Sequence, residues 1–161
     1  MTQRILLTHF ILLSLAVATS RAEVKPNGLF CDGAVLQQKI RVPVWGTARD
    51  GEKVTVKFQG QEISTVARDG RWLVKLKPLK AGGPFILTIA GDNTITFTNV
   101  LVGEVWLCSG QSNMGFTLAG AENAKEAIAG ASDPQLRIFS VPHAAVDSAN
   151  ANLSGTWSES T

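Results

Sequence analysis

The stretch Val102-Gly103-Glu104-Val105-Trp106-Leu107-Cys108-Ser109-Gly110-Gln111-Ser112-Asn113 decides how the rest of the chain is read. Residues 102–108 are mostly apolar, as expected of a strand covered on both faces. The run then breaks into Ser, Gly, Gln and Asn, and residues 114–131, rich in Ala and Glu, are compatible with a helix. Asp133-Pro134 punctuates, and residues 136–141 are a second apolar strand. Strand, turn, helix and strand make one β-α-β unit, the opening of an α/β sheet. One such unit cannot cover a parallel sheet on both faces, so this part of the chain is expected to be truncated.

Upstream, the pattern is of another kind. Val54, Val56 and Phe58 alternate with Lys53, Thr55 and Lys57, the two-residue period of a half-buried strand. Trp72, Val74 and Leu76 repeat it, as do Phe85, Leu87 and Ile89, then Ile95 and Phe97. Asp50-Gly51, Gln59-Gly60, Asp69-Gly70, Gly82-Gly83-Pro84 and Gly91-Asp92-Asn93 supply turns between these runs. Closely spaced strands with no helix between them predict an antiparallel, all-β sandwich-like domain over residues 23–101. Pro43 belongs at an edge or a strand start, because it has no N–H to give a ladder. The α/β piece then occupies residues 102–161.

Charge follows the same division. Residues 23–100 carry eleven basic and seven acidic groups, and residues 101–161 two basic and six acidic. The net charge of +2 comes from Arg4 and Arg21, in a stretch that also holds an apolar run from Ile5 to Ala18. A basic start, a short apolar run and Ser20-Arg21-Ala22 read as a signal peptide over residues 1–22, cleaved after Ala22 and directing a secreted or periplasmic protein. The run is shorter than the roughly 20 residues of a spanning helix, so no membrane partner is expected after cleavage; the alternative is an uncleaved membrane anchor. A near-neutral mature chain gives no reason to expect nucleic acid, and two cysteines cannot fill a four-ligand zinc site.

Chemistry concentrates at residues 109–114. A serine in a tight turn between a buried strand and a helix has its hydroxyl exposed above a sheet edge, with backbone N–H groups near to face an oxyanion. Gly110 lets backbone approach a substrate, and Asn113 can orient a neighbour or donate a hydrogen bond. Gln111 completes the turn. The alternative is an ordinary turn with Ser112 or Asn113 as a helix N-cap.

The string from Gly103 to Met114 resembles the nucleophile segment of sialate O-acetylesterase-like proteins, carbohydrate esterases of the SGNH (GDSL-type) hydrolase superfamily. Leu29-Phe30-Cys31-Asp32-Gly33-Ala34-Val35-Leu36-Gln37-Gln38, Val42-Pro43-Val44-Trp45-Gly46-Thr47-Ala48 and Asp69-Gly70-Arg71-Trp72 resemble that family's N-terminal β-domain, in the family's order. The resemblance implies a flavodoxin-like α/β domain and hydrolysis of O-acetylated carbohydrate through an acyl-enzyme, with no metal and no cofactor. Ser112 would be the nucleophile, with its own N–H as one oxyanion donor. Gly110, Gln111 and Asn113 would support it. Gly115-Phe116-Thr117-Leu118 departs from the family, which often has an acidic residue, an aromatic and Pro-Leu there.

The family's base is a histidine preceded three residues earlier by an aspartate, and no Asp-x-x-His occurs in the chain. His143 is the sole histidine after residue 22, and neither Asp133 nor Asp147 has the family spacing to it. The preferred reading is therefore a loop histidine and a chain that is inactive alone. Trp45, Trp72, Trp106 and Cys108 read as core, Trp157 is undecided, and Lys75, Lys77 and Lys80 read as a solvated face. A Cys31–Cys108 disulfide is allowed by secretion but not indicated, and Asn152-Leu153-Ser154 is a glycosylation sequon only where the source glycosylates. A second function class stays open: a β-sandwich carbohydrate-binding or interaction module beside an inert hydrolase remnant.

Overall fold

The computed structural model describes residues 23–141 and 153–160. The expected signal peptide, His143, Asp147 and Asn152 lie outside them. Eight strands come first: β1 (Lys25–Pro26), β2 (Val35–Gln37), β3 (Val42–Thr47), β4 (Lys53–Phe58), β5 (Gln61–Val66), β6 (Arg71–Leu76), β7 (Gly82–Ala90) and β8 (Thr94–Gly103). They form a three-stranded sheet ordered β1-β3-β6 and a five-stranded sheet ordered β2-β8-β7-β4-β5.

Alternation explains why the sheets pack as a sandwich. Residues of β4 and β6 switch between solvent and core at every step, so Val54, Val56 and Phe58 meet Trp72, Val74 and Leu76 in one cluster. Val44 of β3, Leu87 and Ile89 of β7 and Val100 of β8 complete it, each wholly buried. Burying such a side chain contributes about 1.5–3 kcal/mol. Trp72 also donates its indole N–H to the Thr47 carbonyl at 3.1 Å, so burial leaves no orphan donor. Trp45 lies half-buried, its ring edge-on to Phe30 with centroids 4.9 Å apart. The buried Glu52 carboxylate accepts the N–H groups of Arg49 and Asp92, at 3.1 and 2.8 Å, and so joins two turns.

Pro43 is the second residue of β3 and faces solvent; β1 pairs only with Gly46 and Thr47, which leaves the Pro43 side of the strand open. Three expectations need correction. The sheet is mixed, because β2 runs parallel to β8, Val35 opposite Leu101 and Gln37 opposite Gly103. Gly82-Gly83-Pro84 is not a turn but the irregular start of β7, with register shifts between Gly82 and Leu87. β5 is an additional strand, pairing along the whole of β4.

After β8 the β-α-β expectation fails. Residues 104–110 form no strand and are exposed, so Trp106 (83% exposed) and Cys108 are not core residues. The expected helix shrinks to two 3-10 turns, Ser112–Gly115 and Leu118–Gly120, and α1 (Ala124–Ala129). Gly115 and Gly120 each disfavour helix by roughly 1 kcal/mol, and a short helix needs a packed face that these exposed residues lack. The second apolar strand does form as β9 (Asp133–Phe139), but it pairs antiparallel with β10 (Trp157–Ser160) rather than parallel to an earlier strand. No described helix is long and apolar enough to cross a membrane.

Candidate active site

Ser112 opens the first 3-10 turn. Gln111, extended at φ −104°, precedes it as the cap residue, and no side chain bonds to the turn. Neither Ser112 nor Asn113 is therefore an N-cap. The turn closes through Met114 N–H to the Gln111 carbonyl at 2.9 Å and Phe116 N–H to the Asn113 carbonyl at 3.1 Å. Among the described residues nothing engages the Ser112 hydroxyl, which is exposed. A side chain at Gly110 would lie 3.1 Å from Met114 Cγ, so the glycine lets the turn fold on itself.

The turn borders a concavity of about 1780 Å³. Residues 104–112, β9 from Pro134 onward and the Gly82-Gly83-Pro84 end of β7 line it. Small-ligand pockets run to about 300–1,000 Å³; this space is larger and lined with exposed Trp106, Leu107, Leu136 and Ile138.

Both ends of this region are fastened to the sandwich. At the near end, Gln37 Nε2 donates to Glu104 Oε2 at 2.8 Å and Gln38 Nε2 to Glu104 Oε1 at 2.7 Å. Val105 N–H donates to Gln37 Oε1 at 2.7 Å. The Gln37 amide first, and the Gln38 amide after it, hold the Glu104 carboxyl below its ordinary pKa, with a lesser push from Lys39. At the far end, Arg137 is buried among acceptors: Pro134 O at 2.8 Å, Gly33 O at 3.2 Å, Asn99 Oδ1 at 3.2 Å and Glu159 Oε1 at 3.2 Å. Gly33 has φ +75°, and a Cβ there would sit 3.1 Å from the guanidinium. Trp157 settles beside it, its indole N–H on the Leu29 carbonyl at 2.9 Å and its ring 5.4 Å from that of Phe139.

Sequence reasoning assigned no role to Gln37, Gln38, Glu104 or Arg137. Gln37-Gln38 and Glu104 stood in two quoted strings far apart in the chain, and only the parallel β2–β8 pairing brings them together. Asp133 accepts the Gln135 N–H at 2.8 Å, a local turn, and does not line the concavity. Cys31 and Cys108 are free thiols. No cluster of three metal-binding side chains occurs among the described residues.

No family model matches the sequence. A sialate O-acetylesterase of Rattus norvegicus is 39% identical over 136 residues, covering 73% of this chain and 25% of the relative. Those of Mus musculus and Homo sapiens are 42% and 40% identical over 111 residues, covering 61% of this chain and 20% and 21% of theirs. The chain thus spans about a quarter or less of the length of these curated relatives. In fold it is similar to a carbohydrate acetylesterase from Xanthomonas citri, with a TM-score of 0.80 and 38% identity, over 85% of this chain and 32% of that one.

Proposed function

We propose, from a chain that is sialate O-acetylesterase-like in sequence and carbohydrate-acetylesterase-like in fold, that it is the N-terminal portion of a secreted or periplasmic carbohydrate O-acetylesterase. The observation that carries this reading is the agreement of sequence and fold over most of the chain with proteins named as acetylesterases. In this reading residues 102–161, which form no β-α-β unit among the described residues, lie where an SGNH-type α/β domain begins after the sandwich.

Ser112 is the nucleophile of the reading. Its Oγ attacks the acetyl carbonyl of an O-acetylated sugar, the sugar hydroxyl leaves with a proton, and water then releases acetate from the acetyl-serine. The Ser112 N–H is one donor to the oxyanion. An unengaged, exposed hydroxyl at the edge of a concavity supports that role, and Gly110, Gln111 and Asn113 shape the turn that presents it. The chemistry needs a base, and the chain has no Asp-x-x-His. The base is therefore assigned to polypeptide outside this sequence, and the chain alone is assigned no turnover.

The 161-residue chain is expected to hydrolyse p-nitrophenyl acetate no faster than its Ser112→Ala variant. Clear Ser112-dependent turnover would move the base to His143. Sequencing the encoding DNA past Thr161 tests the larger claim: an in-frame continuation with Asp-x-x-His is expected, and a stop codon there overturns it for this polypeptide. The sandwich acting as a carbohydrate-binding module is the second reading, favoured by a core whose buried apolar residues all come from residues 24–102, with Trp157 packed against its edge.

A further inference from the structure

We propose that Gln37, Gln38 and Glu104 are positioning residues that set the direction in which the Ser112 segment leaves the sandwich, an inference that rests on the esterase reading for its functional meaning. The backbone ladder between β2 and β8 ends at Gln37 opposite Gly103, and Gln38 N–H then donates to the Gly103 carbonyl at 2.9 Å. Side chains carry the pairing two residues further: both Glu104 carboxylate oxygens are taken by the two glutamine amides, and Gln37 Oε1 receives the Val105 N–H.

After Val105, no hydrogen bond fastens residues 106–110 to the sandwich among the described residues. The trio is thus the last fixed point before the serine. All three bonds are short and two end on a carboxylate, which makes them directional. Glu104 is exposed, so the trio does little for global stability, and what it fixes is geometry. A reactive group must be held within about half an ångström by such supporting bonds if it is to meet its partners.

Spin labels read this directly. In a Cys31→Ser, Thr94→Cys background the labels sit on Cys108, inside the segment, and on the far end of β8. The parent distance distribution is expected to be narrow. In Gln37→Ala/Gln38→Ala it is expected to broaden about two-fold, the play a lost supporting shell allows, with Tm unchanged. Glu104→Ala, which leaves β2 untouched, is expected to do the same, and Glu104→Gln, keeping one acceptor oxygen, to fall between. Unchanged widths in both alanine variants overturn the proposal, as does broadening accompanied by loss of the sandwich transition. The reading is independent of hydrolysis: if the chain proves to be no part of an esterase, the distances still stand or fall alone.

Discussion

Two regions of similar apolar character meet opposite fates. Among the described residues every buried apolar side chain lies between Val24 and Val102, and none after Val102 is fully buried. Residues 105–107 are as hydrophobic as any strand of the sandwich, yet they find neither a ladder partner nor a covering layer. Hydrophobicity without a matching second face does not make a core; the sandwich has two sheets to close on each other, and the later region has, among the described residues, one two-stranded sheet.

The largest test of this contrast is a core truncation. Leu87→Ala is expected to cost about 2–5 kcal/mol, as buried leucines do, whereas Trp106→Ala or Leu107→Ala should fall within about 0.5 kcal/mol of the parent. Denaturant unfolding followed at the sandwich transition measures both, and a comparable loss at Leu107 would break the comparison. Arg137 lies between the extremes. Arg137→Ala leaves the Gly33 and Pro134 carbonyls and the Asn99 side chain without their shared donor, a loss of roughly 1–3 kcal/mol. It should appear as faster amide exchange in β9 and β10 with exchange at Ile89 unaltered; equal effects in both would merge the two regions.

The smallest effect is on pH. The Glu104 carboxyl titrates below its ordinary value because its charged form accepts two amides, so the folded state gains from the clamp above that value and loses the gain as pH falls through the lowered pKa. The Val105 amide resonance should report a midpoint below that of an ordinary glutamate. A midpoint at or above it would remove the clamp from the picture.

The sandwich was readable where alternation was long enough. β4 and β6 show it over six residues, β7 over its last six, and β8 in two runs of five that meet at Thr98 and Asn99. β1 and β2, of two and three residues, are too short to display a period, and β5 is an edge strand whose Ile63 is only partly buried. The turn at Ser112 was visible in its glycine and polar residues. What surrounds it was not, because an apolar run records that something should cover it and says nothing of what does. Trp106 and Trp157 show the difference: the one in the apolar run is bare to solvent, and the one among polar residues is pinned on the Leu29 carbonyl. The near-end clamp escaped notice because parallel pairing joins strands distant in sequence and leaves no local period.

The chain departs from the sandwich at Glu104 and is pinned back to it at Arg137 and Trp157. Both ends of that excursion are bonded to the sandwich, so lengthening its middle changes only a loop whose ends are already brought together. Doubling such a loop costs about 0.6 kcal/mol. The stretch between the turn at Ser112 and β9 is accordingly where the protein can accept insertions and altered residues at small thermodynamic cost.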